Sequence, residues 1–240
     1  MSFSQQVVYT KMALKELLKY PGPGTLVTCF RYYPQWKKMI NSGGSTVTAQ
    51  IPWLTFGAID FLKKIMNSDM HVFEYGSGGS TLYWSSHAKQ VVSVEHNKDW
   101  FDTMKKQFAN QKITNVEYVY KEPQPDQSFS NKQFKNPDDY ISSDEEVTGK
   151  NFEDYVKTID AYPDAGFDLI IVDGRARPSC IKHSLRKLKK GGYLVVDNAD
   201  REYYLGSFNF DKNSWKRWNF HGPVPFLMNF SMTTILKRLA

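Results

Sequence analysis

Two stretches of this 240-residue chain gather residue types that can do chemistry. The first is Phe73-Glu74-Tyr75-Gly76-Ser77-Gly78-Gly79-Ser80-Thr81, a carboxylate leading into a glycine-rich turn, with Glu95 a further 21 residues (95 − 74) beyond Glu74. Glycines at such a turn let the backbone double back and let a ligand approach the main chain, because no Cβ intervenes. A carboxylate at the head of the turn favours a cationic ligand group and repels a phosphate. Adenosylmethionine carries a sulfonium and an α-ammonium, so Glu74 favours it over a dinucleotide. The dinucleotide fingerprint also asks for glycine or alanine where this chain has Thr81. Glu95 closes an apolar segment, where a carboxylate can accept hydrogen bonds from both hydroxyls of a ribose, as acids about 20 residues on do in nucleotide folds.

The second stretch is a pair of acidic segment ends, Asp173 after Phe167–Val172 and Asp197-Asn198 after Tyr193–Val196. Two carboxylates and an amide suit a hard cation, Mg²⁺ or Ca²⁺, with water and substrate completing the shell. The alternative is turn chemistry, since Asp-Gly and Asp-Asn are common where strands end. Asp173 can serve as a general base with or without a metal. Arg175 and Arg177 follow it and could hold an anionic or polyhydroxylated acceptor, or form structural ion pairs. His183 falls inside a helix and reads as structural. His221 is a remote candidate base, and Tyr203 and Tyr204 are candidate cleft walls.

These groups converge only if the segments before them are neighbouring strands, and the chain reads that way. Val72–Tyr75, Val91–Glu95, Val116–Tyr120, Phe167–Asp173 and Tyr193–Asp197 are short apolar runs. Helical segments over Ser80–His87, Asn97–Phe108 and Pro178–Lys189 alternate with them, and Asn97 offers an N-cap. Strand–helix–strand at this tempo implies right-handed crossovers and a parallel sheet. Ligands then bind beyond the carboxyl ends of the strands, where Glu74, Glu95, Asp173 and Asp197-Asn198 are expected to stand.

Residues 1–51 read as an N-terminal helical cap, irregular apart from a helix over Val7–Tyr20 that ends at Pro21-Gly22-Pro23-Gly24. Residues 52–240 form the main domain, opening with a helix from Pro52. Residues 121–150, rich in Pro, Asp, Asn and Ser, read as a flap over the site. Trp218–Phe220 and Ser231–Leu236 suggest a closing antiparallel hairpin.

Composition narrows the partners. Thirty-one basic against 25 acidic residues leave a net charge of +6, without a dense basic arm, so nucleic acid is not indicated. Cys29 and Cys180 form no disulfide or metal pattern. The N-terminus shows no secretory signal and no apolar run reaches the ~18 residues that span a bilayer, so no membrane partner is expected and a cytoplasmic location is the default.

Glu74-Tyr75-Gly76-Ser77-Gly78-Gly79-Ser80 resembles the acid-x-Gly-x-Gly motif of class I S-adenosylmethionine-dependent methyltransferases, Val91–Glu95 resembles their second motif, and Phe167–Asp173 and Gly191–Asp197 their fourth and fifth core strands. The resemblance covers about Pro52 to Asp200. It implies an α/β fold, a doubly wound, seven-stranded, mostly parallel sheet whose last strand is antiparallel. It implies that Glu74 and the backbone of Gly76, Ser77 and Gly78 face the methionine part of the donor, that Glu95 takes the ribose, and that His96 flanks the adenine. Family members carry a small acid after the third strand; Glu122 is the nearest stand-in. Asp173 with Asp197-Asn198 is similar to the metal set of catechol-type O-methyltransferases. The implied activity is methylation of a hydroxyl on a small molecule or sugar. The other readings are ribose methylation of nucleic acid, aminopropyl transfer, and a non-catalytic nucleotide-binding module. Asp173-Gly174-Arg175-Ala176 departs from the Asn/Asp-Pro-Pro-aromatic motif of base N-methylating members.

Overall fold

The computed structural model describes residues 3–240, so Met1 and Ser2 of the expected cap lie outside the described residues. In chain order the elements are α1 (Phe3–Lys19), α2 (Pro23–Ile40), α3 (Thr46–Ala49), α4 (Phe56–Ile65), β1 (His71–Tyr75), α5 (Gly79–Ser85), β2 (Gln90–Glu95), α6 (Lys98–Asn110), β3 (Val116–Tyr120), β4 (Gln124–Pro125), β5 (Lys150–Asn151), α7 (Glu153–Lys157), β6 (Phe167–Val172), α8 (Arg177–Lys187), β7 (Leu188–Val196), β8 (Trp215–Pro223) and β9 (Phe230–Arg238). Seven strands form one sheet in the order β3-β2-β1-β6-β7-β9-β8. β1, β2, β3, β6 and β7 pair in parallel, while β9 runs antiparallel to both β7 and β8. The last strand is therefore the reversed one, as expected.

Strand alternation divides the core between the two faces of the sheet. Phe73, Tyr75, Val92, Val94, Ile170, Val172, Leu194 and Val196 point to the face covered by α7 and α8. Val72, Val91, Leu169, Ile171, Val195 and Ile235 point to the face covered by α4, α5 and the N-terminal helices. Central strands buried on both faces read as continuous apolar runs, which is why they were visible in the sequence.

The N-terminal region is helical, as expected, but more regular than the sequence suggested. It is an antiparallel helical pair, not an irregular segment, and the Pro-Gly-Pro-Gly run is a short turn whose Pro23 starts α2, where a missing N–H costs nothing. Tyr9, Tyr32 and Trp36 join the same core cluster as Leu54, Phe56 and Val72. The helix expected from Pro52 begins later, at Phe56, after the N-cap Thr55. Residues 121–150 are largely irregular, with β4 and β5 pairing across their ends. No helix among the described residues is long and apolar enough to cross a membrane.

Candidate active site

A cavity of about 950 Å³ opens at the carboxyl ends of β1, β2, β6 and β7. Gly76, Ser77, Glu95, His96, Glu122, Asp173, Asp197 and Asn198 all line it; Glu74 and Gly78 do not.

Glu74 is one residue short of the end of β1, so alternation puts it on the face of Val72, under α5, fully buried. Its Oε1 accepts the Trp84 indole N–H at 2.9 Å, and its Oε2 accepts the Thr81 hydroxyl at 2.5 Å and the Ser93 hydroxyl at 2.9 Å. Burial pushes its carboxyl above the ordinary range, against the pull of these donors. The Thr81 hydroxyl in turn accepts the Gly78 N–H at 3.0 Å. Glu74 therefore fixes the glycine turn from behind rather than facing a ligand, and the expectation that it touches the donor is corrected. Thr81, which breaks the dinucleotide pattern, is the link between the two.

Three N–H groups of the turn have intramolecular acceptors: Gly76 donates to the Val94 carbonyl at 3.0 Å, Ser77 to Glu95 at 3.2 Å, and Gly78 to Thr81. Gly76 has φ +90°, and a Cβ there would sit 3.2 Å from the Gly174 Cα, so glycine is required where β1 and β6 leave the sheet.

Glu95, the last residue of β2, runs past the cover of α5 and reaches the cavity. Its Oε2 accepts the Ser77 hydroxyl at 2.8 Å, and its Oε1 accepts the backbone N–H groups of His96 and Asn97 at 2.8 and 2.9 Å. His96 Nδ1 lies 3.0 Å from Oε1. Burial raises the Glu95 carboxyl, but the His96, Asn97 and Ser77 donors outweigh it and hold Glu95 below its ordinary value, an anion at neutral pH. The His96 ring packs edge-on against Phe152 and Tyr155. Trp100, absent from the sequence-derived candidates, lies over the turn and donates its indole N–H to the Ser77 carbonyl at 2.8 Å. Its signal was available: Asn97 caps α6 by accepting the Trp100 N–H, which places Trp100 in the first turn beside the strand end.

Across the cavity, Asp173 follows β6 and Asp197 follows β7. Between them lies Arg177, only 6% exposed. Its Nε donates to the Gly174 carbonyl at 2.9 Å, its Nη1 to the Asp197 carbonyl, and its Nη2 to the Asp173 carbonyl and Oδ1 at 3.1 and 3.2 Å. Arg177 is thus a clamp for two strand ends, not an acceptor ligand. Arg175 reaches the irregular 121–150 segment instead, pairing with Asp144 at 2.9 Å. Asp173 keeps 28% of its side chain open to the cavity. Its carboxyl is pushed well above the ordinary range by burial and by Asp197, with Arg177 opposing. Asp197 is buried, accepts the Thr233 hydroxyl at 2.7 Å, and is likewise raised by burial against the pull of Arg177 and Thr233.

The expected cation site does not fit this arrangement. The Arg177 guanidinium already supplies the positive charge at Asp173, Asp197 is turned to Thr233, and the Asn198 amide donates to the Ser231 hydroxyl at 2.9 Å. Among the described residues no group of three His, Cys, Asp or Glu side chains is arranged to hold a metal. Asn198 has φ +48°, a left-handed conformation that its short amide tolerates, and it turns the chain off β7.

The remaining candidates lie elsewhere. His183 pairs with Asp160 at 2.7 Å on α8, a structural contact as expected. His221 on β8 lies 3.0 Å from Glu16 of α1 and packs against the Tyr20 ring, which ties it to the cap. Tyr203 and Tyr204 line a separate small pocket behind Arg177, not the main cavity.

No family model and no curated protein sequence matches the chain. Solved structures do. An O-methyltransferase from Bacillus cereus in complex with SAH superposes with TM-score 0.53 at 13% identity, covering 96% of this chain and 99% of that one. An rRNA methylase from Streptococcus thermophilus gives 0.50 at 15%, covering 75% and 93%. A methyltransferase-like protein from Silicibacter pomeroyi gives 0.50 at 20%, covering 79% and 90%. With the strand order and the reversed last strand, these similarities establish the class I methyltransferase fold.

Proposed function

We propose that the chain is an S-adenosylmethionine-dependent methyltransferase acting on a hydroxyl oxygen of a small polar molecule. The observation that carries this is the opposition, across one cavity, of an anionic Glu95 beside a glycine turn and an Asp173 carboxyl whose proton affinity burial and Asp197 raise well above the ordinary range. Glu95 and Ser77 suit a ribose diol, and His96, Tyr120 and Trp100 offer flat surfaces for the adenine. Glu122, exposed at the rim, suits its amino group. The N–H groups of Gly76, Ser77 and Gly78 are already bonded within the protein and so are not offered to a pyrophosphate, which favours a cationic donor over a dinucleotide.

Adenosylmethionine would supply an electrophilic methyl group. Asp173 would take the proton of the acceptor hydroxyl as its oxygen forms the new bond to that methyl and the carbon–sulfur bond breaks. A base with a raised pKa suits this task, because an ordinary carboxylate is too weak to receive such a proton. Arg177 holds Oδ1 of Asp173, so Oδ2 is the oxygen free to face the acceptor. Most of the rate would come from alignment of acceptor, methyl and sulfur.

The test is calorimetry with adenosylmethionine and adenosylhomocysteine, then transfer of a labelled methyl group to a panel of hydroxylated small molecules and to RNA. Saturable binding with labelled small-molecule product supports the reading. Binding with label only in RNA would move the acceptor to nucleic acid. Absence of heat with either ligand would end it.

A further inference from the structure

The N-terminal helical pair carries two features that neither the fold nor the cavity uses. The first is charge. Residues 3–40 contain six lysines and arginines (Lys11, Lys15, Lys19, Arg31, Lys37, Lys38) against one acid, Glu16, and so hold five of the chain's six net positive charges. Glu16 is itself directed inward to His221 at 3.0 Å. Lys19 and Arg31 reach acids on the body, Asp200 at 3.7 Å and Asp60 at 3.4 Å, whereas Lys11 and Lys15 have no acidic partner among the described residues.

The second is an apolar tip. Leu14 (56% exposed), Leu18 (84%), Leu26 (44%), Val27 (62%) and Phe30 (77%) face outward, although α2 has already buried Thr25, Cys29, Tyr32 and Trp36 on its other side. All five lie within about two helical turns of the connection at Tyr20-Pro21-Gly22. On α1 the exposed residues form two parallel rows at four-residue spacing, Leu14-Leu18 and Lys11-Lys15-Lys19. Leucines flanked by lysines whose long stems can bend toward water are the composition of a helix lying in a membrane interface.

We infer that the tip of this hairpin docks on an anionic lipid surface, with Leu18, Val27 and Phe30 entering the headgroup–acyl boundary and Lys11, Lys15 and Lys19 meeting lipid phosphates. No membrane-spanning segment is needed for such docking. Charge selects this occupant over a second copy of the chain. Two copies joined at this face would bring their lysine rows together, and like charges oppose the contact. A polyanion without apolar groups would leave the leucines and Phe30 unsatisfied.

The experiment is flotation of the full chain with phosphatidylcholine vesicles, with and without about one third phosphatidylserine. Expected is capture by the anionic vesicles, weakened by salt and at least tenfold weaker on neutral ones. Each lysine near a charged surface contributes about fivefold in binding, so Lys11→Glu with Lys15→Glu should lower capture by about twentyfold or more. Leu18→Ser with Phe30→Ser should abolish it; both positions are exposed, and an unchanged melting temperature would show that the fold is intact. Absence of capture by either vesicle overturns the inference. So does equal capture by both, or a solution dimer that the serine variant dissolves while lipid binding is nil. Adenosylmethionine binding is read separately, so either proposal can fail alone.

Discussion

Arg177 Nη2 lies 3.2 Å from Asp173 Oδ1, with the guanidinium buried and its other donors on the carbonyls of Asp173, Gly174 and Asp197. One cation therefore joins the ends of two adjacent strands and compensates the Asp173 carboxylate. It also packs over the Tyr204 ring, at 5.2 Å from its centroid, which closes the pocket behind it. Lysine could not reproduce this, because a point charge on a flexible stem cannot serve a planar fan of acceptors.

Replacing Arg177 with methionine should strip several buried acceptors of their donors and leave Asp173 facing Asp197 without a counter-charge. Removing one partner of a buried ion pair costs about 3–5 kcal/mol. For a chain of this size that lowers the melting temperature by about 10 °C. Arg177→Lys should recover less than half of the loss. Differential scanning calorimetry of the two variants checks this, and a Lys variant as stable as the native chain would remove the clamp role.

Because the same guanidinium occupies the charge-compensating position, Mg²⁺ should not bind tightly here. Titration of Mg²⁺ or Ca²⁺ into the protein is expected to give no heat from a specific site, and EDTA should leave adenosylmethionine affinity unchanged. A stoichiometric divalent-cation isotherm that Asp197→Ala abolishes would restore the metal to the site.

The parallel strands, their order of appearance, the capped α6 and the reversed final strand were readable because burial on both sheet faces leaves unbroken apolar runs and because side-chain caps are local. Asp173 and Glu95 were readable for the same reason: each stands at the end of such a run. Glu74 was misplaced because it was counted among the strand ends although it stands one residue before Tyr75, the end of β1. A shift of one residue in a strand exchanges the two faces. The Arg177 clamp could not be seen at all. Its acceptors are backbone carbonyls from two strand ends, and sequence does not record where carbonyls point. The cap was read as irregular because Pro-Gly-Pro-Gly stops one helix and starts the next, and only the first effect was weighed.

Glu74 and Glu95 should separate in their effects. Glu74→Gln leaves a donor where Trp84, Thr81 and Ser93 need acceptors, and an unsatisfied buried group costs about 1–3 kcal/mol. Its effect on adenosylmethionine affinity should stay within about a factor of two to three, as for sites that do not couple. Glu95→Gln should weaken binding about 10–100-fold, since hydrogen bonds to a charged acceptor are worth about 1.5–3 kcal/mol. Isothermal titration on both variants tests this. Equal losses would mean that Glu74 acts on the donor after all.

The elevated Asp173 carboxyl carries a signature in stability as well as in catalysis. Burial and the neighbouring Asp197 make its charged form costly in the folded chain, so the folded state binds the proton more tightly than the unfolded state does. Its contribution is therefore fully present below the ordinary aspartate value of about 4, and it is lost as pH rises through the elevated folded value. Asp173→Asn cannot ionise and keeps the neutral shape. The variant and the native chain should melt together near pH 4, and the variant should become the more stable as pH is raised toward neutrality and beyond. Melting curves across that range are the measurement. Asp197 shifts in the same direction and interacts with Asp173, so the difference between the two curves reports the ionisation of Asp173 together with the response of Asp197 to it. A difference that is constant with pH, or that favours the native chain at high pH, would mean that Asp173 is an ordinary ionised partner of Arg177 and not a base poised to accept a proton.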